Sequence, residues 1–276
     1  VSYPEIPFAD VEDLIRETAE LDILPHFRNL SESQVQEKSP GDVVTVADMA
    51  AEFRLSKGLS KMLPGSNIVG EEMTYKDEDV LKRFEGDAPV WVIDPLDGTG
   101  NFANGNPAFA VMVSLIVRGR TCAGWIFDPL GERMAVGEIG GGSQLNGERL
   151  DIAKAPAPEK MHGGILTKFL PDDLRDTAES SKALFSEISA TMCAGHEYLS
   201  MLNGDKHFVL YYRTLPWDHA AGSLLYQEAG GYAVRLDGSV FQPTDGRFGL
   251  LEATDPDTWR IVHDLVVPSV SLIEMA

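Results

Sequence analysis

The chain has 276 residues, of which 43% are hydrophobic, and this is typical of one large globular domain or two closely joined ones. It carries 43 acidic and 23 basic residues, for a formal net charge of −20. A chain with this much negative charge repels the phosphates of nucleic acids and of anionic membranes. The bulk charge therefore predicts no nucleic-acid partner and no membrane partner. Bound metal ions that reverse the charge of a local site are compatible with this balance.

The two cysteines, Cys122 and Cys193, lie in apolar stretches, where the expected role is a small buried hydrophobic side chain. They are too few for a disulfide framework and lack the spacing of zinc ligands. The sequence shows no apolar run of about 20 residues and no signal-peptide pattern at its start. These features predict a soluble, cytoplasmic protein.

Helical signals come first along the chain. Apolar residues at helical spacing predict an amphipathic helix over 11–30, which Pro25 kinks or divides. The polar stretch that follows predicts a loop or hairpin leading to 43–45. A second helix is predicted over 47–63, ending at the Pro64-Gly65 pair.

Strand signals dominate the middle of the chain. They predict a buried strand over 90–93 and β-segments over 109–117, 121–127 and 133–139, whose short connections favour antiparallel neighbours. The proline-rich stretch 154–160 predicts a boundary between an N-terminal part, 1–153, and a C-terminal part, 154–276. In the second part, segments at 184–190 and 208–212 precede a helix over 216–229. Elements alternate without a regular βαβ rhythm, which predicts a layered α+β fold.

The most informative residues are acidic. Asp94 and Asp97 follow the buried strand, in a loop that Pro95 and Gly98 shape. Two carboxylates so close repel each other unless a cation lies between them, and Mg²⁺ prefers oxygen ligands that it shares with substrate phosphate. The alternative is a surface turn, for which the same residue types are common.

Two further acidic motifs have equally ordinary alternatives. Glu71 and Glu72 end an apolar approach, where paired glutamates are commonly a solvated face. Asp218 opens the helix over 216–229, where aspartate is commonly a cap. The combination of the motifs is more informative than each alone.

These motifs together resemble the inositol monophosphatase family, which belongs to the Mg²⁺-dependent, lithium-sensitive phosphatases. They read GEE at 70–72, WVIDPLDGTGNF at 91–102 and WDHAAG at 217–222, and KSPGDVVT at 38–45 with Asp48 resembles the upstream signature. The resemblance spans 38–231. It implies a layered αβαβα sandwich of the inositol monophosphatase and fructose-1,6-bisphosphatase type, and a homodimer.

The resemblance also implies a set of metal ligands for two to three Mg²⁺ ions. Asp48 matches the position that helps to hold a further, weaker ion through water. Without cations, these carboxylates would repel a phosphate monoester. The ligands implied are the side chains of Glu71, Asp94, Asp97 and Asp218 and the backbone carbonyl of Leu96.

Thr99, Glu72 and Asp48 are the implied catalytic residues. Glu72 and Thr99 match the pair associated with the attacking water, which the metals activate, and Thr99 and Asp48 share a proton relay. The backbone N–H groups of Gly98 and Thr99 are implied to meet the phosphate. Lys38 matches a basic residue near the metals, with a solvated loop lysine as the alternative.

The remaining residues in the predicted substrate-binding set depart from the family pattern. Inositol-preferring relatives have a glutamate seven residues before the Trp-Asp aspartate, and here that residue is Tyr211. Gly195 and His196 stand where a glycine is usually followed by a small or hydroxyl residue. Arg213 either meets a second anionic group or stays at the surface. A phenol cannot replace a carboxylate that reads two hydroxyls, so inositol 1-phosphate is not expected to be the best substrate.

The sequence therefore predicts a Mg²⁺-dependent phosphomonoesterase, similar to inositol-1-phosphate phosphatases, for a small phosphorylated polyol, sugar or related metabolite. The alternatives are a 3′-phosphoadenosine nucleotide, histidinol-phosphate or fructose-bisphosphate phosphatase. A metal-bound regulatory protein with vestigial activity is a further alternative from another functional class.

Overall fold

A computed structural model describes residues 3–267 of the chain. The α-helices are α1 (Phe8–Thr18), α2 (Val46–Met62), α3 (Glu71–Lys76), α4 (Thr99–Ala103), α5 (Asp172–Ser181), α6 (Ala194–Leu202), α7 (Pro216–Glu228) and α8 (Pro256–Val266). The strands are β1 (Val35–Ser39), β2 (Asp42–Thr45), β3 (Asn67–Gly70), β4 (Val90–Asp97), β5 (Ala110–Val117), β6 (Arg120–Asp128), β7 (Arg133–Glu138), β8 (Gly142–Leu145), β9 (Glu148–Arg149), β10 (His162–Ile165), β11 (Glu187–Ile188), β12 (Phe208–Tyr211), β13 (Tyr232–Val234) and β14 (Leu250–Ala253).

These elements form five layers. Helices α1 and α2 cover one face of a seven-stranded sheet of order β3-β4-β5-β6-β7-β8-β9. Helices α6 and α7 lie between this sheet and a five-stranded sheet of order β11-β10-β12-β14-β13, and α5 and α8 pack on the far side. Strands β4 to β9 are antiparallel neighbours. The prediction of a layered αβαβα sandwich is confirmed.

Strand β4 carries the central motif of the site, and it is longer than the sequence predicted. All eight of its residues are buried, and the strand continues through Pro95 to Asp97. Asp94 pairs with Met112 and Asp97 with Ala110, so β4 holds one extra residue at this point. This bulge accommodates a proline, which cannot donate a hydrogen bond to the sheet, and re-aims the neighbouring side chains. The two aspartates therefore belong to the bulged end of the strand and not to a loop beyond it.

The predicted helix over 11–30 is shorter than expected. Helix α1 ends at Thr18, whose hydroxyl donates to the Leu14 carbonyl at 2.7 Å. A π-turn over Ala19–Ile23 and a 3₁₀ turn over Leu24–His26 follow. Pro25 lies in the 3₁₀ turn, where its missing N–H and its ring prevent a regular α-helix from continuing.

The hairpin and the second helix agree with the sequence. Strands β1 and β2 form an antiparallel hairpin, and α2 begins directly after it. Thr45 caps α2 through a hydrogen bond from the backbone N–H of Ala47 at 3.1 Å, while Asp48 accepts from the backbone N–H of Thr45 at 2.8 Å. This reciprocal capping box fixes the position of Asp48 in the first turn.

The predicted boundary at 153/154 falls in a segment without helix or strand, between β9 and β10. A hydrophobic cluster nevertheless joins the two sides of it, because Met112 and Ile126 of the large sheet pack with Tyr198, Val209 and Leu225. The division into two parts stays a prediction. Across residues 3–267, no helix combines the length and the hydrophobicity that crossing a bilayer requires.

Candidate active site

Carboxylates from separate elements line one cavity of about 300 Å³. Glu71 opens α3, Asp94 and Asp97 belong to the end of β4, and Asp218 lies in the first turn of α7. Strands β3 and β4 are parallel, so their carboxyl ends reach the same edge of the sheet. Functional groups commonly gather at such an edge.

Asp94 and Asp97 are buried with their charge only partly compensated. One oxygen of Asp97 accepts from the backbone N–H of Gly195 at 2.6 Å and lies 2.9 Å from the Cys193 thiol, which donates to it. Burial still raises the pKa of Asp97. Burial, and then repulsion from Glu71, Asp97 and Asp218, raise the pKa of Asp94 well above its usual range.

Asp218 experiences the same repulsion from the other side of the cavity. Burial first, and then Asp97 and Glu71, raise its pKa well above its usual range, while the Arg213 guanidinium acts in the opposite direction. Two carboxylic groups that resist ionisation together in this way mark a place where a cation would be favourable.

Lys38 binds both glutamates of the GEE motif. Its buried Nζ lies 2.7 Å from Glu71 Oε1 and 2.8 Å from Glu72 Oε1. Burial alone would lower the pKa of Lys38, but these two carboxylates raise it above its usual range. The alternative that Lys38 is a solvated loop lysine is wrong, because its side chain is buried and forms ion pairs with Glu71 and Glu72.

Thr99 and Asp48 are in direct contact. The Thr99 hydroxyl lies 2.9 Å from Asp48 Oδ1 and 3.0 Å from the Leu96 carbonyl. The other oxygen of Asp48 belongs to the capping box of α2 and accepts from the Thr45 hydroxyl at 2.6 Å. Burial raises the pKa of Asp48 to about 7. The two residues that the sequence paired in a relay are therefore neighbours.

Gly98 makes the turn between β4 and α4. Its φ is +84°, in the left-handed region, and a Cβ there would lie 2.8 Å from the Ala108 carbonyl oxygen. Only glycine fits both restrictions. Gly98 and Thr99 both line the cavity, and α4 begins at Thr99 but is only five residues long.

Glu52 is a residue of the site that the sequence analysis missed. It is buried on α2, and its Oε2 accepts from the backbone N–H of Glu72 at 2.8 Å. It thereby holds the first turn of α3, which carries Glu71 and Glu72. A signal was present, because Glu52 follows Asp48 by four residues and so lies on the same face of α2.

The donor set fits a hard divalent cation. All side chains in question offer carboxylate oxygen, which Mg²⁺ prefers. The raised pKa values of Asp94 and Asp218 reflect burial first and then the neighbouring negative charge, which a cation would offset. Across residues 3–267, no three Asp, Glu, His or Cys side chains converge as a finished coordination sphere. Lys38 and the Gly195 N–H already hold Glu71 and Asp97, so these side chains would adjust on binding.

The remaining predicted substrate-binding residues lie in different surroundings. Tyr211 and Arg213 line the cavity with the carboxylates. Gly195 acts through Asp97. His196 points elsewhere, because its Nε2 lies 3.1 Å from the Phe109 carbonyl oxygen, and the geometry gives no support to a contact with substrate.

His219 lies in the first turn of α7, as expected. It lies between the Tyr198 hydroxyl and the Arg213 carbonyl, and burial there lowers its pKa to about 3.

Lys168 and Phe169 also line the cavity, although no sequence motif predicts that they do. They lie in a 3₁₀ turn after β10. Strand β10 is parallel to β12, so this turn and Arg213 follow the same edge of the smaller sheet. No local motif encodes that contact.

Comparisons with known proteins agree with this geometry. Residues 8–271 match the profile of the inositol monophosphatase family. The inositol-1-monophosphatase of Mesorhizobium japonicum is 33% identical over 227 residues, which cover 77% of this chain and 79% of the relative. The Nus factor SuhB of Pseudomonas aeruginosa is 32% identical over 226 residues, covering 79% and 81%. The Thermotoga maritima IMPase superposes with a TM-score of 0.77 at 25% identity, covering 94% and 96%.

Proposed function

Because the chain belongs to the inositol monophosphatase family and is a phosphoric monoester hydrolase, we propose that it removes phosphate from a small phosphorylated polyol, sugar or related metabolite with Mg²⁺. The observation that carries this proposal is the cavity in which Glu71, Asp94, Asp97 and Asp218 meet beside the Thr99–Asp48 contact. An anionic phosphate enters such a cavity only when cations accompany it.

The cavity carboxylates and the Leu96 carbonyl would hold two to three Mg²⁺ ions, with Asp48 acting on the weakest through water. Bound Mg²⁺ would offset the charge of the carboxylates and of the phosphate, and would acidify the attacking water. If one ion is weakly held, lithium is expected to inhibit at millimolar concentration. Complete insensitivity to lithium would count against such an ion.

Thr99 and Glu72 would orient the attacking water. The Thr99 hydroxyl has a single proton, which Asp48 Oδ1 at 2.9 Å and the Leu96 carbonyl at 3.0 Å both can accept, so its lone pairs remain available to a water in the cavity. Lys38 holds one oxygen of Glu72 and leaves the other to accept a proton. Proton transfer to positioned side chains of this kind commonly contributes about 10²- to 10⁴-fold to a rate.

Substrate choice rests on the wall formed by Tyr211 and Arg213. Tyr211 is buried against the rings of Tyr198 and His219, and its hydroxyl has no hydrogen-bond partner within residues 3–267. A phenol here cannot accept two hydroxyl bonds as a carboxylate does. We therefore expect that inositol 1-phosphate is not the best substrate, with sugar bisphosphates, histidinol phosphate and 3′-phosphoadenosine nucleotides as the alternatives.

The direct test is phosphate release from these monoesters with and without Mg²⁺, by the wild type and by Asp94→Asn. We expect turnover that requires Mg²⁺, a variant that folds but is inactive, and a best substrate other than inositol 1-phosphate. A wide preference for inositol 1-phosphate would refute the specificity argument from Tyr211. No metal-dependent turnover on any monoester would refute the proposed activity.

A regulatory role is the second candidate. The specific observation in its favour is that relatives 30–33% identical to this chain bear the name Nus factor SuhB. If the chain regulates another protein, Asp94→Asn would keep that effect while losing turnover. We also propose a homodimer by family resemblance, which sedimentation equilibrium would check, and a cytoplasmic location from the cysteine usage, which fractionation of cells would check.

A further inference from the structure

Two cations lie beside one aromatic ring that lines the cavity. The Arg213 Cζ lies 4.2 Å from the centroid of the Phe169 ring, and the Lys168 Nζ lies 5.1 Å from the same centroid. All three residues line the cavity that also contains Asp94 and Asp218. The exposed ring therefore lies within cation–π distance of two exposed positive charges at the wall of the site.

The Arg213 guanidinium acts on the Asp218 carboxylate electrostatically, but neither cation is held by a direct contact with an acidic side chain in the described part of the chain. Within residues 3–267, neither side chain forms an ion pair at contact distance or donates a hydrogen bond, although the chain has 43 acidic residues. A guanidinium stacked on a ring keeps its N–H edge free, and this edge matches the two oxygens of a phosphate or carboxylate. The Lys168 ammonium adds a second positive charge, and this charge can pair with an anion from many directions.

The position of these residues is typical of a ligand site. Ile165 of β10 pairs in parallel with Leu210 of β12, so the turn with Lys168 and the segment with Arg213 both follow the carboxyl ends of neighbouring strands. Ligands of sheets with parallel strands commonly bind there. Tyr211 also lines this cavity, and its buried hydroxyl has no hydrogen-bond partner among the described residues, which is an independent sign of an absent polar ligand.

We propose that Arg213 and Lys168, beside Phe169, bind a second anionic group on the alcohol portion of the substrate, either a phosphate or a carboxylate. This inference rests on the proposed function, because the carboxylate end of the cavity must take the phosphate that is hydrolysed. The substrate class is therefore a phosphomonoester with two separated anions.

The test compares substrates that differ only in the second anion. Fructose 1,6-bisphosphate is compared with fructose 1-phosphate, and 3-phosphoglycerate with glycerol 3-phosphate. We expect the wild type to prefer the member with the second anionic group in at least one pair by about tenfold or more in kcat/KM, and the pair that responds identifies the anion. Arg213→Gln should reduce that preference mainly through KM, Lys168→Gln less so, and Arg213→Lys should recover part of it.

Lys57→Gln is the matched control. Lys57 also lies over a phenylalanine ring, 5.8 Å from the centroid of Phe53, but neither residue lines this cavity. This variant should leave the preference unchanged. Equal kcat/KM within both pairs, or a preference that survives in Arg213→Gln, would overturn the inference while the proposed function stands.

If no monoester is hydrolysed, the proposed function fails and calorimetric binding decides the inference alone. Tighter binding of fructose 1,6-bisphosphate than of fructose 1-phosphate, or of 3-phosphoglycerate than of glycerol 3-phosphate, by the wild type, lost in Arg213→Gln, would support the anion site. Equal affinities within both pairs would overturn it.

Discussion

Replacing Gly70 with alanine is expected to disturb the site through a residue that contacts neither substrate nor metal. Gly70 has an ordinary extended backbone, with φ −108° and ψ 157°, so alanine adds no backbone strain. Its Cβ, however, would lie 2.2 Å from Glu52 Oε2 and 2.5 Å from Glu52 Cδ. A tolerable contact is about 3.2 Å, so the carboxylate must move by about 1 Å.

This movement breaks the hydrogen bond from the Glu72 N–H to Glu52, which is 2.8 Å long. A hydrogen bond to a charged group contributes about 1.5–3 kcal/mol. This hydrogen bond fixes the turn that carries Glu71 and Glu72, so its loss should lower the rate of turnover. At about 1.36 kcal/mol per factor of ten, kcat/KM should fall by about 10- to 150-fold.

The assay is phosphate release at pH 8 against Mg²⁺ concentration, together with a thermal melt. This pH is chosen because burial raises the pKa of Glu52 to about 7, so that its carboxylate is charged in the assay. We expect kcat to fall and the Mg²⁺ concentration for half activity to rise. The double variant Gly70→Ala with Glu52→Asp should lose less activity than the sum of the losses in the two single variants. The shorter aspartate leaves room for the added Cβ.

Gly86→Ala is the control, since a Cβ there meets only the Ala88 backbone nitrogen at 4.0 Å. It should behave as the wild type. If Gly70→Ala keeps wild-type kcat/KM and Mg²⁺ dependence, or if the double change is merely additive, the reasoning from Glu52 is refuted.

Three other experiments test separate parts of the structure. Thr99→Ala should lower kcat by about 10²-fold or more and hardly shift the Mg²⁺ dependence, and equal losses in both would contradict its role with water. Burial raises the pKa of Glu252 to about 8 from 4.5, so its contribution to stability is full below pH 4.5 and is lost as the pH rises through 8. Urea unfolding of metal-free protein should therefore lose more stability between these pH values in the wild type than in Glu252→Gln, and parallel curves would disprove this. Burial also raises the pKa of Cys122 to about 12 and that of Cys193 well above its usual range, so iodoacetamide at pH 8 should label neither in native protein, as mass spectrometry would reveal.

The carboxylates of the site were predictable because they occur in short contiguous motifs. Asp94 and Asp97 are separated by two residues, and the strand that holds them is a recognisable apolar run. The true end of this strand was not predictable from composition, because a proline such as Pro95 is normally absent from the interior of a strand. Only the pairing with β5 reveals the bulge that accommodates it.

The cationic side of the cavity could not be predicted, for a topological reason. Phe169 and Arg213 are distant in sequence and meet only because β10 and β12 pair in parallel. Helix α8 is a different case. Asp255 caps it with hydrogen bonds of 3.0 Å from the backbone N–H groups of Asp257 and Thr258, and Pro256 begins it, so its start signal was present in the sequence and was overlooked.

The hydrophobic cluster shared by the two sheets has a consequence for proteolysis. Lys154 is exposed in the segment between β9 and β10, so trypsin can reach it. A cut there would not release two fragments, because Met112 and Ile126 on one side stay packed with Tyr198 and Leu225 on the other. The nicked chain should elute as one species under native conditions and keep its catalytic competence, and two separately expressed fragments should complement each other.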